Sequence, residues 1–280
     1  MINNVITNFE TKLFELKQYP TPTIWSSPQG NLVYSLLELQ PSNIDHIKKS
    51  IIAYEDALRK SNREEAPHDW GTIQHNLANA IHALGQQEKN DATSILNEAM
   101  EAYRNVLLVW KRQELPLAWA SIMNNIGMIF QLQGELSNGA HTLMKSVSAF
   151  NNALTQRTAE HRPQDWAITQ NNIGASLQIL AEIKQDREVL EESIMAYENS
   201  LTKIVPEQTP LGWVTVMSNL SAAQRIMAAQ EKDIGAAEKA VINSDQLIKF
   251  LEDTTKAEYL ALCKKEKERS QELLENLAKA

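Results

Sequence analysis

Apolar residues along this chain recur at intervals of three and four, the spacing of one helix face, and not in the alternation of a half-buried strand. In one stretch Ile122, Ile126 and Phe130 fall on a first face, and Leu143, Val147, Phe150 and Leu154 on a second. This predicts a helix from about Leu117 to Gln133, a turn over Gly134-Glu135-Leu136-Ser137-Asn138-Gly139, and a helix from about Ala140 to Glu160. A lone pair of such helices cannot bury its apolar face, whereas stacked pairs share one core.

The pair repeats. Five of the six Trp stand three residues after a Pro: Pro22/Trp25, Pro67/Trp70, Pro116/Trp119, Pro163/Trp166 and Pro210/Trp213, with only Trp110 outside the pattern. The prolines are 45, 49, 47 and 47 residues apart. Six residues after each of these Trp comes an Asn (Asn31, Asn76, Asn125, Asn172, Asn219), and then Leu or Ile. A small residue four before an aromatic follows, at Ser50/Tyr54, Ala99/Tyr103, Ser146/Phe150 and Ser193/Tyr197; Ser244 takes the aromatic position in the fifth unit, which is degenerate as a terminal unit should be. Pro has a fixed φ that suits a first helical turn and cannot continue the preceding helix, so each Pro opens a helix A and separates the units. The expected organisation is an N-terminal cap helix over 1–19, five repeats over 20–66, 67–115, 116–162, 163–209 and 210–254, and a charged C-terminal cap helix over 255–280. The N-terminal helix rests on Val5, Phe9, Leu13 and Leu16, and the C-terminal one on Tyr259, Leu262, Leu273 and Leu277.

Met123-x2-Ile126-Gly127-x2-Phe130 followed by Ser146-x3-Phe150 resembles the tetratricopeptide repeat, as do the runs at Leu77-Ala78 with Ala99-x3-Tyr103 and Ile173-Gly174 with Ser193-x3-Tyr197. The resemblance spans roughly residues 20 to 250 and implies an all-α solenoid of stacked helix-turn-helix repeats, coiled into a right-handed superhelix. Gln74, Met123, Gln170 and Met217 stand where the family usually has Trp, and the units run near 47 residues instead of 34, a difference placed in the A-to-B connection. The long unit and its Asn-Asn-Ile-Gly (124–127 and 171–174) are similar to bacterial long-unit tetratricopeptide proteins, and the Asn run to kinesin light chain repeats.

An Asn at one helix A position in five units needs a reason, because Asn is a poor helix-interior residue. With the Trp as core anchors, the Asn face the inner side, where a carboxamide offers both a donor and an acceptor to a peptide backbone. In similar repeats such Asn hold the peptide. The alternative is architectural, each Asn bonding the backbone of a neighbouring repeat and fixing the pitch. The same geometry assigns His75, Asn79, His82, Asn124, Met128, Gln131, Asn171, Gln178 and Arg225 to the peptide-binding face, together with the five ladder Asn. This face is neutral and lacks the Lys/Arg clamp that chaperone-binding members of the family use.

The net charge of −8 speaks against nucleic acid, and no apolar run reaches the 18 residues of a membrane span. The first residues lack a signal-peptide pattern, and the single Cys263 forms no intrachain disulfide, which fits the cytoplasm. His75 and His82, seven apart, do not have metal-ligand spacing; His46, His68, His141 and His161 read as surface or loop residues, and Cys263 as an inert thiol. No catalytic residue, metal or cofactor is expected. The functional expectation is an adaptor or scaffold, not an enzyme, that holds a peptide or protein segment through the asparagine ladder. The alternative is a structural scaffold or regulatory subunit that binds, or self-associates, through convex and end surfaces.

Overall fold

The computed structural model describes residues 44–88, 90–252 and 257–279. The expected N-terminal cap helix and the first helix A, with Pro22, Trp25 and Asn31, lie outside them. Ten α-helices and no strand occur among the described residues: α1 (Ile44–Lys60), α2 (Pro67–Gln87), α3 (Ala92–Val106), α4 (Pro116–Ser137), α5 (Ala140–Leu154), α6 (Pro163–Lys184), α7 (Arg187–Leu201), α8 (Pro210–Glu231), α9 (Ile234–Glu252) and α10 (Ala257–Lys279). The all-α class stands. The chain divides into two compact units, 1–129 and 130–280, with the boundary inside α4. In the first, α1 packs on α2 and α2 on α3; in the second, each helix from α5 to α10 packs on the next, and α8 also touches α6 and α10. Sequence neighbours are space neighbours, as stacked helix-turn-helix pairs require.

All four described Pro-x-x-Trp prolines are the first residue of a helix. Pro has no N–H to lose there, so the Trp is the first residue to close a helical turn. The N–H groups of Trp70, Trp119, Trp166 and Trp213 donate to the carbonyls of Ala66, Leu115, Arg162 and Thr209 at 2.8–2.9 Å. The tryptophan side chains are half-buried, so they are rim residues more than full core anchors. Arg63 and Arg112 lie over the rings of Trp70 and Trp119, and Trp213 packs on Phe250. The fully buried aromatics are instead Tyr54, Tyr103, Phe150 and Tyr197, one in each of α1, α3, α5 and α7, on the repeat position read from sequence, which Ser244 takes in α9.

The A-to-B connection differs from expectation. Helix α4 runs through Gly134 to Ser137, and the turn is only Asn138-Gly139. Asn138, Gln185 and Lys232, 47 residues apart, take left-handed φ of 49°, 52° and 55° and reverse the chain in a single step. The next N–H then reaches back in a 6→1 bond: Gly139 to Gly134 O, Asp186 to Ala181 O and Asp233 to Ala228 O, at 2.8–3.2 Å. Asp186 and Asp233 also cap the following helix by accepting from Val189 N and Ala236 N. Gly134 is not a turn residue. A Cβ there would meet Leu143 Cγ at 2.7 Å, so this glycine lets two helices approach. Gly174 serves the same end further up helix A, where a Cβ would lie 2.7 Å from the Tyr197 ring.

The length beyond a 34-residue unit therefore sits in the long A helices of 21–22 residues and in the B-to-A loops. The helix expected to reach Glu160 stops at Leu154, where Thr155 turns its hydroxyl onto Asn152 O; Thr202 does the same to Asn199 O in the next unit. The loops are periodic too. Trp110, Arg157 and Ile204, again 47 apart, each donate a backbone N–H to the fourth carbonyl back. Trp110 is thus in register after all. Its indole lies against Gly71, Arg157 donates to Thr169 Oγ1 at 3.1 Å, and Ile204 joins the core beside Ala167.

Candidate functional site

In the first unit the ladder residues form a polar lock. Asn79, buried one turn after Asn76, is its hub. Its Oδ1 accepts from the Tyr103 hydroxyl and from Asn125 Nδ2 at 3.0 Å, while the same Asn125 amide donates to the Tyr103 oxygen at 3.1 Å. Asn79 Nδ2 lies 3.4 Å from His75 Nε2. An amide nitrogen only donates, so that imidazole nitrogen accepts and the ring is neutral. Burial enforces the same state, since desolvation pulls both His75 and His82 down to a pKa of about 4. His82 sets its edge on the Tyr103 ring and receives Gln86 Nε2 at 3.5 Å, and Trp110 packs on His75 with centroids 5.3 Å apart. Asn76 and Asn124 are also buried, with Asn124 Nδ2 directed to Met128 Sδ at 3.6 Å.

In the second unit the ladder Asn219 reaches the position one before the ladder residue of the preceding A helix, and not the one three after it. Asn219 Nδ2 donates to Asn171 Oδ1 at 3.0 Å, tying α8 to α6. Both carboxamides are half-buried, as are Gln131, Asn172, Gln178 and Arg225. Gln178 accepts the Tyr197 hydroxyl at 3.1 Å and donates to Glu182 at 3.3 Å. Burial raises the Tyr197 hydroxyl pKa far above its usual range, keeping it a donor. Three residues beyond the ladder position stand Ala175 and Ala222, where the first unit has Asn79 and Met128. Arg225 is not open groove lining, because α10 covers it and Glu266 lies 3.5 Å from its guanidinium. Cys263, on α10, is buried against α8 and α9 beside Ser218; burial pushes its thiol pKa up, so the unreactive protonated form persists.

The structure thus brings His75, Asn79, His82 and Asn125 together around Tyr103, and Asn171 together with Asn219. The bonds of Asn125 and Asn219 run from side chain to side chain between neighbouring A helices. His46 is buried in α1 instead of lying at the surface, whereas His68, His141 and His161 are exposed. Sequence reading missed Tyr103, Tyr197 and Trp110 as partners of the ladder face. For Trp110 a signal existed in its 47-residue spacing from Arg157 and Ile204. Among the described residues no group of three His, Cys, Asp or Glu could hold a metal, and no helix is long and apolar enough to cross a membrane. No protein-family model matches the chain, and no curated protein matches it.

Proposed function

We propose that this chain is a tetratricopeptide-type protein-interaction module, an adaptor that holds a segment of another protein on the face of its A helices. The observation that carries the reading is the amide content of that face. Asn171, Asn172, Gln178 and Asn219 recur there half-buried, on helices that also supply the apolar core. Half-buried carboxamides on rigid helices recognise backbone without discriminating between side chains. The histidines of this face stay neutral at physiological pH and add no charge. A neutral face fits an internal segment of a partner better than a terminal carboxylate. The buried lone cysteine suits a reducing compartment, and we place the protein in the cytoplasm, of bacterial type by the resemblance of its repeats.

The test is selection of a displayed library of linear dodecapeptides on the immobilised full chain. Binders that share a sequence pattern and hold with micromolar or better Kd support the reading. A library without binders defeats it. The second reading, self-association, is favoured by one observation, the exposed Met144, Met195 and Ile242 on helices α5, α7 and α9. Sedimentation that depends on concentration, together with an empty selection, is its signature.

A further inference from the structure

We infer that the groove between α7 and α9, floored by α8, is a docking site for one amphipathic helix of another protein, apolar on the face it buries and basic along its flanks. Different side chains build this groove from those proposed to hold a peptide, so the two sites stand or fall separately.

The groove encloses about 380 Å³. Ile194 and Met195 on α7 and Met227 on α8 are its large apolar side chains. Met227 is buried and Ile194 half-buried, while Met195 is 59% exposed. Room exists because α9 lines the groove with Gly235 and Ala236; 47 residues earlier, α7 carries Glu188 and Val189. Flexible, polarizable thioethers mould themselves to an incoming apolar face.

The occupant has to satisfy its own backbone. An extended strand laid here would press N–H and C=O groups against thioethers and aliphatic carbons, and the carboxamide in the wall, Gln224, already accepts Asn243 Nδ2 at 2.8 Å. A helix bonds its backbone internally and presents only side chains. The α7 stripe from Arg187 to Glu198 is roughly 16 Å long at the helical rise, the length of three turns.

Charge selects the kind of helix. Arg187 meets Glu191 at 2.8 Å and Glu231 at 3.5 Å, so two carboxylates share one cation. Asp233, which caps Ala236 N, adds a third carboxylate at that end. Three turns along α7 the exposed Glu198 has no ion pair among the described residues. These four carboxylates face two cations, Arg187 and Lys239, an excess of two negative charges. A second copy of the chain brings a net charge of −8 and a groove of the same sign, whereas a basic amphipathic helix complements both the floor and the rim.

The experiment uses the full chain with 13C-labelled methionine methyl groups. Its probes are two libraries of stapled helices, roughly four turns long, randomised at the apolar positions and flanked by Lys in one library and by Glu in the other. The Lys library should yield helices with micromolar Kd and the Glu library none. Titrating a selected helix should shift the Met195 and Met227 methyl signals and leave that of Met144, exposed on α5, in place. Met195→Ser, which copies Ser148 at the equivalent position of α5, should weaken binding about tenfold or more, with melting unchanged because the side chain is exposed. Two empty libraries overturn the inference, as does binding that leaves Met195 and Met227 unshifted. Binding undiminished in Met195→Ser overturns it too, since it marks general attraction of a cation to an acidic chain. A Met195 signal that moves with protein concentration alone makes a second copy the occupant, and also overturns it. None of these outcomes decides the dodecapeptide selection, which tests the A-helix face.

Discussion

His75 and His82 are two imidazoles held without charge on a helix that has no acid beside them. Asn79 and Gln86 supply hydrogen bonds that a neutral ring accepts, and desolvation does the rest. The sign of the consequence follows from linkage. In the unfolded chain these rings take up protons near 6.5, while in the folded chain they resist until about 4. The unfolded state therefore binds more protons between those values, and stability is lost as pH falls from 6.5 to 4. Equilibrium denaturation at a series of pH values should show each histidine contributing ~1–3 kcal/mol to that loss. Carboxylates titrate in the same range, so the comparison is with His82→Gln, which copies Gln131 and Gln178 at the equivalent position of later units. That variant should lose stability less steeply between pH 6.5 and 4.5. An unchanged slope would mean that the ring is not held neutral.

At the scale of elements, three A helices end on non-glycine residues in the left-handed region: Asn138, Gln185 and Lys232. Such a residue costs about 1–2 kcal/mol unless it is Gly, or, less severely, Asn. Gln185→Gly and Lys232→Gly should each raise stability by ~0.5–1 kcal/mol in thermal or chemical denaturation, and Asn138→Gly by less. A loss in either of the first two would show that the side chain matters more than the backbone.

These turns also explain how far the elements were legible in sequence. The repeat was plain because Pro starts every described A helix and one buried aromatic stands in α1, α3, α5 and α7, and both are local requirements. The turn was misplaced because glycine usually punctuates a helix, whereas Gly134 is kept small by the Leu143 side chain pressing on it. That cause belongs to tertiary packing, as does the register of Trp110 against Gly71. The site was legible as a set of positions and not as a network. Asn125 meets Asn79 across 46 residues of sequence, and Asn219 meets Asn171 across 48. Which side chain takes up a carboxamide depends on how neighbouring helices are rotated, and no spacing rule supplies that. The neighbour of Arg225 was hidden for the same reason, since nothing local foretells that α10 lays Glu266 beside it.

At the scale of the molecule, one ladder serves two purposes in two compact units. In the first, its polar groups are spent internally around Asn79 and Tyr103. In the second, the rung between α6 and α8 is tied by a single bond and keeps a donor and an acceptor open. This division is the central claim, and the most direct measurement of it compares Asn79→Ala with Asn171→Ala by equilibrium denaturation at neutral pH. Removing Asn79 strips partners from Tyr103, Asn125 and His75 inside the fold, and should cost ~2–4 kcal/mol. Removing Asn171 frees only an Asn219 amide that reaches water, and should cost less than ~1 kcal/mol. That difference is the predicted result; equal costs, or a larger cost for Asn171→Ala, would contradict the division between a locked and an open rung.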